Sequence, residues 1–348
     1  MVRIPSVSSR RPRPCGLTIH PTVGCNVGCS YCYLWEMGLI REPVLNPMRP
    51  EKLVSEVRRN PYFVESRMGT FLALGSLGEP FLNPEVAQKT LSYISALKKL
   101  GNPIQVSTKF APPPDSRLAG VNVLITVVVW DSYKLLEPNA PPPWDRVSAA
   151  GELLDAGAYP TLFVRPIIPG VTLNELDDML REASRHGIRS VVFGTLRVSP
   201  EVVRRLESSG IDTSEILKRT RTRLRRGLQI YIRGEDLKAV AMERARSLGM
   251  IPLGSACCAN ALANGVPCFD VRWLHRRCTG CPNECRSKIP TREFVESLLS
   301  DMKLRGRVSD NEVILGEDSW RRLGPAGRHK LEVLTRRIVI RAGGPGGT

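Results

Sequence analysis

Ten cysteines are the residues best able to do chemistry in this chain of 348 residues, and they are unevenly placed. Cys25, Cys29 and Cys32 form a CxxxCxxC near the N-terminus, six more run from Cys257 to Cys285, and Cys15 stands apart. No cysteine lies between Cys32 and Cys257. Cysteines that only filled a core would not segregate in this way, so metal or cluster binding is the first expectation. Three thiolates in one short loop can hold three irons of a [4Fe–4S] cluster and leave the fourth iron without a protein ligand. A metal that binds substrate needs such an open position. Gly24 and Gly28 let the backbone wrap closely around the group. A zinc loop is the other reading, with Cys15 or His20 as the nearest fourth ligand.

The late group includes Cys278-Thr-Gly-Cys281-Pro-Asn-Glu-Cys285, a CxxCxxxC. With Cys257 or Cys258 it offers four thiolates, and Cys268 is a further candidate. Four thiolates suit a second [4Fe–4S] cluster or a structural zinc ion. Pro282 after Cys281 fits iron–sulfur runs. The expected ligands are Cys258, Cys278, Cys281 and Cys285.

The elements that must position these residues alternate. Strand-like segments fall at 17–20, 70–74, 104–108, 121–129, 161–165 and 189–194. Helix-like segments fall at 50–59, 84–100, 144–156, 173–185 and 200–208, with Asn83 as a cap and Gly157 as a stop. Repeated βα units predict an α/β fold with a parallel sheet. No GxGxxG opens the first helix, so a partial (β/α)6 barrel fits better than a dinucleotide-binding sheet. After residue 210 a basic helix is expected over 213–226, a strand over 228–232 and helices over 236–248 and 291–302. The division read from this is an arm over 1–15, a βα core over 16–210, a cysteine-bearing extension over 211–340 and a flexible tail over 341–348.

The CxxxCxxC, set just after the first strand with Tyr31 before its last cysteine, resembles the radical S-adenosylmethionine (SAM) superfamily. The resemblance implies that Cys25, Cys29 and Cys32 carry a [4Fe–4S] cluster whose open iron chelates S-adenosylmethionine. Reductive cleavage then yields a 5′-deoxyadenosyl radical that abstracts hydrogen from a substrate. It also implies an electron donor of ferredoxin or flavodoxin type. Gly75-Ser-Leu-Gly78-Glu79-Pro80 follows the second strand, where the superfamily carries Gly-Gly-Glu, with Leu77 replacing the first glycine. By the same resemblance Gly78 and Glu79 lie at the cofactor's amino group, and Ser107 and Lys109 reach its ribose or carboxylate. Arg165 pairs with a carboxylate, and Tyr31 packs on the cluster or adenine. The run Leu136-Glu137-Pro138-Asn-Ala-Pro141, followed by Asp145-Arg146, resembles the branch related to spore photoproduct lyase. That enzyme relays hydrogen through a cysteine inside its barrel, and this chain has none in the corresponding stretch.

Fifty basic residues against 34 acidic ones give a net charge of +16, with arginine supplying 39 of the fifty. An arginine-rich proteome produces such a balance, and so does an anionic partner such as nucleic acid in DNA repair or RNA modification. The competing function is a nucleic-acid-binding protein with structural zinc modules and no catalysis. The longest apolar run, 121–130, is too short to span a bilayer, so no membrane partner is expected. No apolar segment precedes Cys15, so a cytoplasmic location is expected.

Overall fold

A computed structural model describes residues 4–38, 40–275 and 281–343. Seven parallel strands form one sheet: β1 (Leu17–Ile19), β2 (Leu72–Leu74), β3 (Ile104–Thr108), β4 (Asn122–Thr126), β5 (Tyr159–Ile167), β6 (Ser190–Thr195) and β7 (Ile251–Leu253). Their spatial order is their chain order, with β1 and β7 at the edges. Side chains along each strand alternate between faces. Leu72, Leu74, Val106, Val123, Ile125, Leu162, Val164, Val191 and Phe193 enter one apolar cluster. The helices α1 (Pro50–Arg58), α2 (Pro84–Lys98), α3 (Pro143–Asp155), α4 (Leu176–Arg185) and α5 (Glu235–Ser247) pack into that cluster from one side. The five crossovers that carry these helices therefore lie on one face, and the sixth, between β3 and β4, adds Leu118 to the same cluster, as in a barrel wall and unlike a doubly wound sheet.

The other face is polar where the alternate residues meet. Thr161 donates to Asn122 Oδ1 at 2.9 Å and lies 3.1 Å from Ser190 Oγ. Asn122 and Thr126, which interrupt the apolar run in the sequence, both sit on this face. Part of the face is covered by α6 (Ala256–Asn264), whose Ala256 and Ala259 pack on Leu124, Val192 and Leu253.

Two expectations for the second half of the chain change. The sheet does not stop before 210, because β7 adds to its edge in register with β6, Ile251 opposite Ser190. The basic helix is a single short turn, Ser214–Lys218. Four arginines between 221 and 226 have no acid at helical spacing to relieve their repulsion. Arg219 instead turns to Glu215 at 2.7 Å and Asp236 at 2.8 Å.

A smaller unit closes the chain. Strands β8 (Gly306–Val308), β9 (Glu312–Leu315) and β10 (Ile338–Arg341) pack with α7 (Arg292–Asp301) and α8 (Glu317–Thr335) around Val295, Leu299, Val313 and Leu331. Residues 344–348 of the expected tail lie outside the described residues. Buried Arg336 ties this unit to the rest. Its guanidinium donates to Met68 O at 2.7 Å, to Pro267 O at 3.3 Å and to Val333 O. Burial pushes its pKa down to about 10. Arg336→Met is expected to destabilise the protein by roughly 1.5–3 kcal/mol, the value of hydrogen bonds to a charged group. An unfolding midpoint in urea unchanged from wild type would show that these contacts contribute nothing.

Candidate active site

The loop carrying Cys25, Cys29 and Cys32 emerges beyond the C-terminal end of β1, on the rim where βα folds place their active sites. Its backbone is held closely at two glycines. Gly24 has φ +97° and donates to Leu77 O at 2.9 Å, bridging to Gly78. A Cβ on Gly78 would lie 2.8 Å from Thr22 Cγ2 and 2.9 Å from Gly24 O. Gly78 is thus needed for the approach of two backbones. Leu77 contributes only its carbonyl, which explains why a missing first glycine is tolerated. Gly28 has φ +80° and faces Pro138.

Three neighbours fix the loop. Ser30 N–H donates to Leu136 O at 2.9 Å, and the Asn139 side chain donates to Asn26 O at 2.9 Å. The run 136–141 therefore cradles the cysteine loop. From the other side Arg205 donates to Ser30 O at 3.1 Å and to Cys32 O at 2.6 Å, while stacking over Trp35. Gln229 donates to Tyr33 O at 2.8 Å.

Cys29 is buried, and Cys25 and Cys32 are half-buried. Burial pushes all three thiols up, Cys25 to about 11, and the Lys109 charge acts on all three in the opposite sense. Among the described residues no trio of His, Cys, Asp or Glu closes on one point as a finished metal site. The donor set nevertheless fits a cluster with one open iron: three thiols in eight residues, backbone room at two glycines and one cation facing them.

Lys109, at the end of β3, leads to a buried charged network. Its Nζ lies 2.8 Å from Glu137 Oε1 and 2.6 Å from Tyr31 Oη. Tyr31 donates to the same carboxylate, and Arg146 Nη1 lies 2.6 Å from Glu137 Oε2. Glu137 and Arg146 are wholly buried. Burial alone would raise the Glu137 pKa, but Lys109 and Arg146 outweigh it and hold it at about 2. Tyr31, expected to pack on the cluster or adenine, directs its hydroxyl into this network. Glu137 and Arg146 were visible in the sequence only as members of a loop motif, without roles.

Glu79 is also buried, and burial raises its pKa. Its carboxylate accepts from Lys109 N–H at 2.8 Å, Phe81 N–H at 3.2 Å and the Thr108 hydroxyl. These bonds shape the turn that presents Lys109. Thr108→Val removes one of them and is expected to cost about 1 kcal/mol. An unchanged urea midpoint would count against that role.

Residues 19–196, just over half of the chain, match the family model of the radical SAM superfamily. The chain belongs to the radical SAM superfamily. Among solved structures it is similar to spore photoproduct lyase complexed with dinucleoside spore photoproduct. That match has a TM-score of 0.57 and 17% identity, covering 71% of this chain and 79% of the other. A double mutant of the same lyase, with bound AdoMet and dinucleoside spore photoproduct, matches with a TM-score of 0.57 and 16% identity, covering 72% and 80%. At such identities the likeness is one of fold. No curated protein matches the sequence. Radical SAM membership implies a [4Fe–4S] cluster and AdoMet as cofactors.

In this radical SAM fold the remaining expected residues divide. Ser107 lies on β3 with its hydroxyl 3.4 Å from Gly75 O. Arg165, on β5, covers Gly194 and lines a cleft of about 390 Å³ with Thr195, Arg221, Tyr231, Glu235 and Lys238. Beside it Arg197 stacks between Tyr33 (4.7 Å) and Tyr231 (4.4 Å) and donates to the Tyr231 hydroxyl. Cys258, Cys281 and Cys285 lie together near α6, and Cys278 lies outside the described residues.

Proposed function

We propose that this radical SAM enzyme acts on a nucleic acid strand held at the Arg165–Arg197 cleft. The observation that carries the reading is charge without neutralisation beside the cysteine loop. Among the described residues no carboxylate lies within ion-pair distance of Arg165 or Arg197, although most arginines on the helices have one. Arg197, its Cζ close to the Tyr33 and Tyr231 rings and its Nη2 donating to Tyr231, presents a guanidinium fork with little freedom to lose. Such a fork suits a phosphate, and the tyrosine faces suit bases. Tyr33 follows Cys32 directly, so a strand gripped there lies next to the loop that must hold the cluster.

Cys25, Cys29 and Cys32 would hold the cluster. Lys109, poised by Glu79 and Glu137, sets the charge facing them, and Gly78 and Ser107 border the space for AdoMet, while Arg165 is given to the nucleic acid strand and not to the AdoMet carboxylate. When bound, cluster and AdoMet supply a radical able to take hydrogen from an unactivated C–H bond. A ferredoxin- or flavodoxin-like donor would deliver the electron, with the enzyme working in the cytoplasm. DNA repair and RNA modification both fit this chemistry.

The test is binding of short single- and double-stranded DNA and RNA, read by fluorescence anisotropy across salt concentrations. Arg197→Ala and Arg165→Ala are each expected to weaken binding and to lower the salt slope by about 1 per lost phosphate contact. Affinity and slope equal to wild type in both variants would end the nucleic-acid reading and leave the superfamily assignment intact.

A further inference from the structure

The late cysteines are widely spaced in sequence, yet the fold gathers those it describes in one place. The Cys257 thiol hydrogen-bonds with the thiols of Cys258 and Cys268 and is within electrostatic reach of Cys15. Cys258 is in turn within such reach of Cys281 and Cys285, and these two of each other. Five cysteines from three segments thus converge, with Cys15 from a fourth. They lie on the side of the sheet opposite the crossover helices. Cys258 and Cys281 pack with Leu124, Val192 and Leu253. Cys257 and Cys268 pack with Phe71, Phe269 and Val333.

The surroundings treat these sulfurs as acceptors. Cys285 Sγ accepts from the Asn283 side chain at 3.1 Å and from the Cys268 N–H. Cys281 Sγ accepts from the Asn283 N–H. Cys258 Sγ lies 3.1 Å from Ser255 Oγ and accepts from the Ser255 N–H. Donors aimed at sulfur gain little from a neutral thiol and much from a thiolate. A group of thiolates in a largely apolar pocket needs positive charge, and Arg336, within reach of Cys268 and Cys285, and Lys288, within reach of Cys281, supply part of it without touching Cys258. Structural and cluster sites meet this need with metal, and N–H···S bonds form their outer shell.

We infer that Cys258, Cys281 and Cys285, with Cys257 or Cys268 as the fourth ligand, bind a second, thiolate-ligated metal centre. Loading exchanges the thiol protons for metal, with ferrous iron and sulfide supplied for a [4Fe–4S] cluster or zinc alone for a single ion. Between the sheet floor and Val333 of α8, the centre joins the core to the C-terminal unit. It is independent of the radical reading of the first loop.

The experiment is metal and sulfide analysis of the full chain, purified and reconstituted without oxygen. The background is Cys25→Ala/Cys29→Ala/Cys32→Ala, which removes the first site. About four irons with sulfide remaining, or about one zinc, supports the centre and names its metal. X-ray absorption on the same sample is expected to show sulfur ligation. Adding Cys281→Ser/Cys285→Ser is expected to release that metal. Because those variants can also unfold, the parent is treated with a chelator and its thiols are alkylated and mapped by mass spectrometry. Cys258, Cys281 and Cys285 are expected to be shielded before chelation and labelled after it. No residual metal, late cysteines already labelled in the reconstituted parent, or disulfides among them would overturn the proposal.

Discussion

Glu137→Gln is expected to destabilise the protein by about 3–5 kcal/mol, the cost of breaking a buried ion pair from one side. Glutamine keeps the shape of the side chain, so packing around it is nearly preserved. What is lost is the anion between Lys109 and Arg146, at 2.8 and 2.6 Å. Lys109 keeps Tyr31 and some access to water. Arg146 has no exposure, so its charge is stranded, although it still donates to Pro141 O and Thr126 O. Urea unfolding reads the loss directly. Adding Arg146→Met is expected to recover part of it, because the stranded charge goes too. A single-variant loss below about 1 kcal/mol would show that the network contributes little.

The same carboxylate sets a pH dependence. Its folded pKa of about 2 lies below the ordinary carboxylate range. A depressed pKa contributes stability that is present above the unfolded value and lost as pH falls through the folded one. Wild type is therefore expected to lose stability between about pH 5 and pH 2 more steeply than Glu137→Gln. Parallel curves for the two proteins would remove Glu137 from the acid response.

Local signals were legible in the sequence wherever a single segment carries them. Asn83 accepts from Val86 N–H at 2.9 Å and starts α2, and Thr291 starts α7 in the same way. The six core strands follow their apolar runs. β7 was missed because three residues with a proline in the middle make too weak a signal. Edge pairing supplies what propensity lacks there. The basic run was misread because its arginines are good helix formers one by one, and repulsion between neighbours decides against them.

At the site, CxxxCxxC was legible because its ligands are close in sequence. The network was not, because Tyr31 and Glu137 are 106 positions apart and meet only in the fold. Nor was the part played by 136–141. Its contacts are with the backbone of 26–30, more than a hundred positions away. Which of Cys257, Cys258 and Cys268 joins the late group stays open in the sequence for the same reason: convergence of distant segments leaves no spacing to read.

Cys29→Ala is expected to abolish 5′-deoxyadenosine release while leaving the chain folded. In the proposed site three thiolates would hold three irons, and removing the central one would take away a protein ligand that no described neighbour replaces. Glu79 is occupied by Lys109, Thr108 and Phe81, and Glu137 by Lys109, Tyr31 and Arg146. Neither carboxylate is free to substitute. The loop itself stays anchored, because its bonds to Leu136, Asn139, Arg205 and Gln229 run through other residues' groups. Losing one small buried side chain is expected to cost only about 1 kcal/mol in the metal-free protein. The assay is anaerobic turnover of AdoMet with dithionite, beside circular dichroism of the same sample. Cleavage at the wild-type rate would mean that this loop does not hold the catalytic cluster. Lost cleavage together with lost secondary structure would mean that Cys29 supports the fold. Arg205→Gln separates the two effects further. It leaves every thiol in place and removes both the contact to Cys32 O and the positive charge beside the Cys32 thiol, so a slower release of 5′-deoxyadenosine with normal dichroism would trace the loss to the setting of the loop and not to a missing ligand.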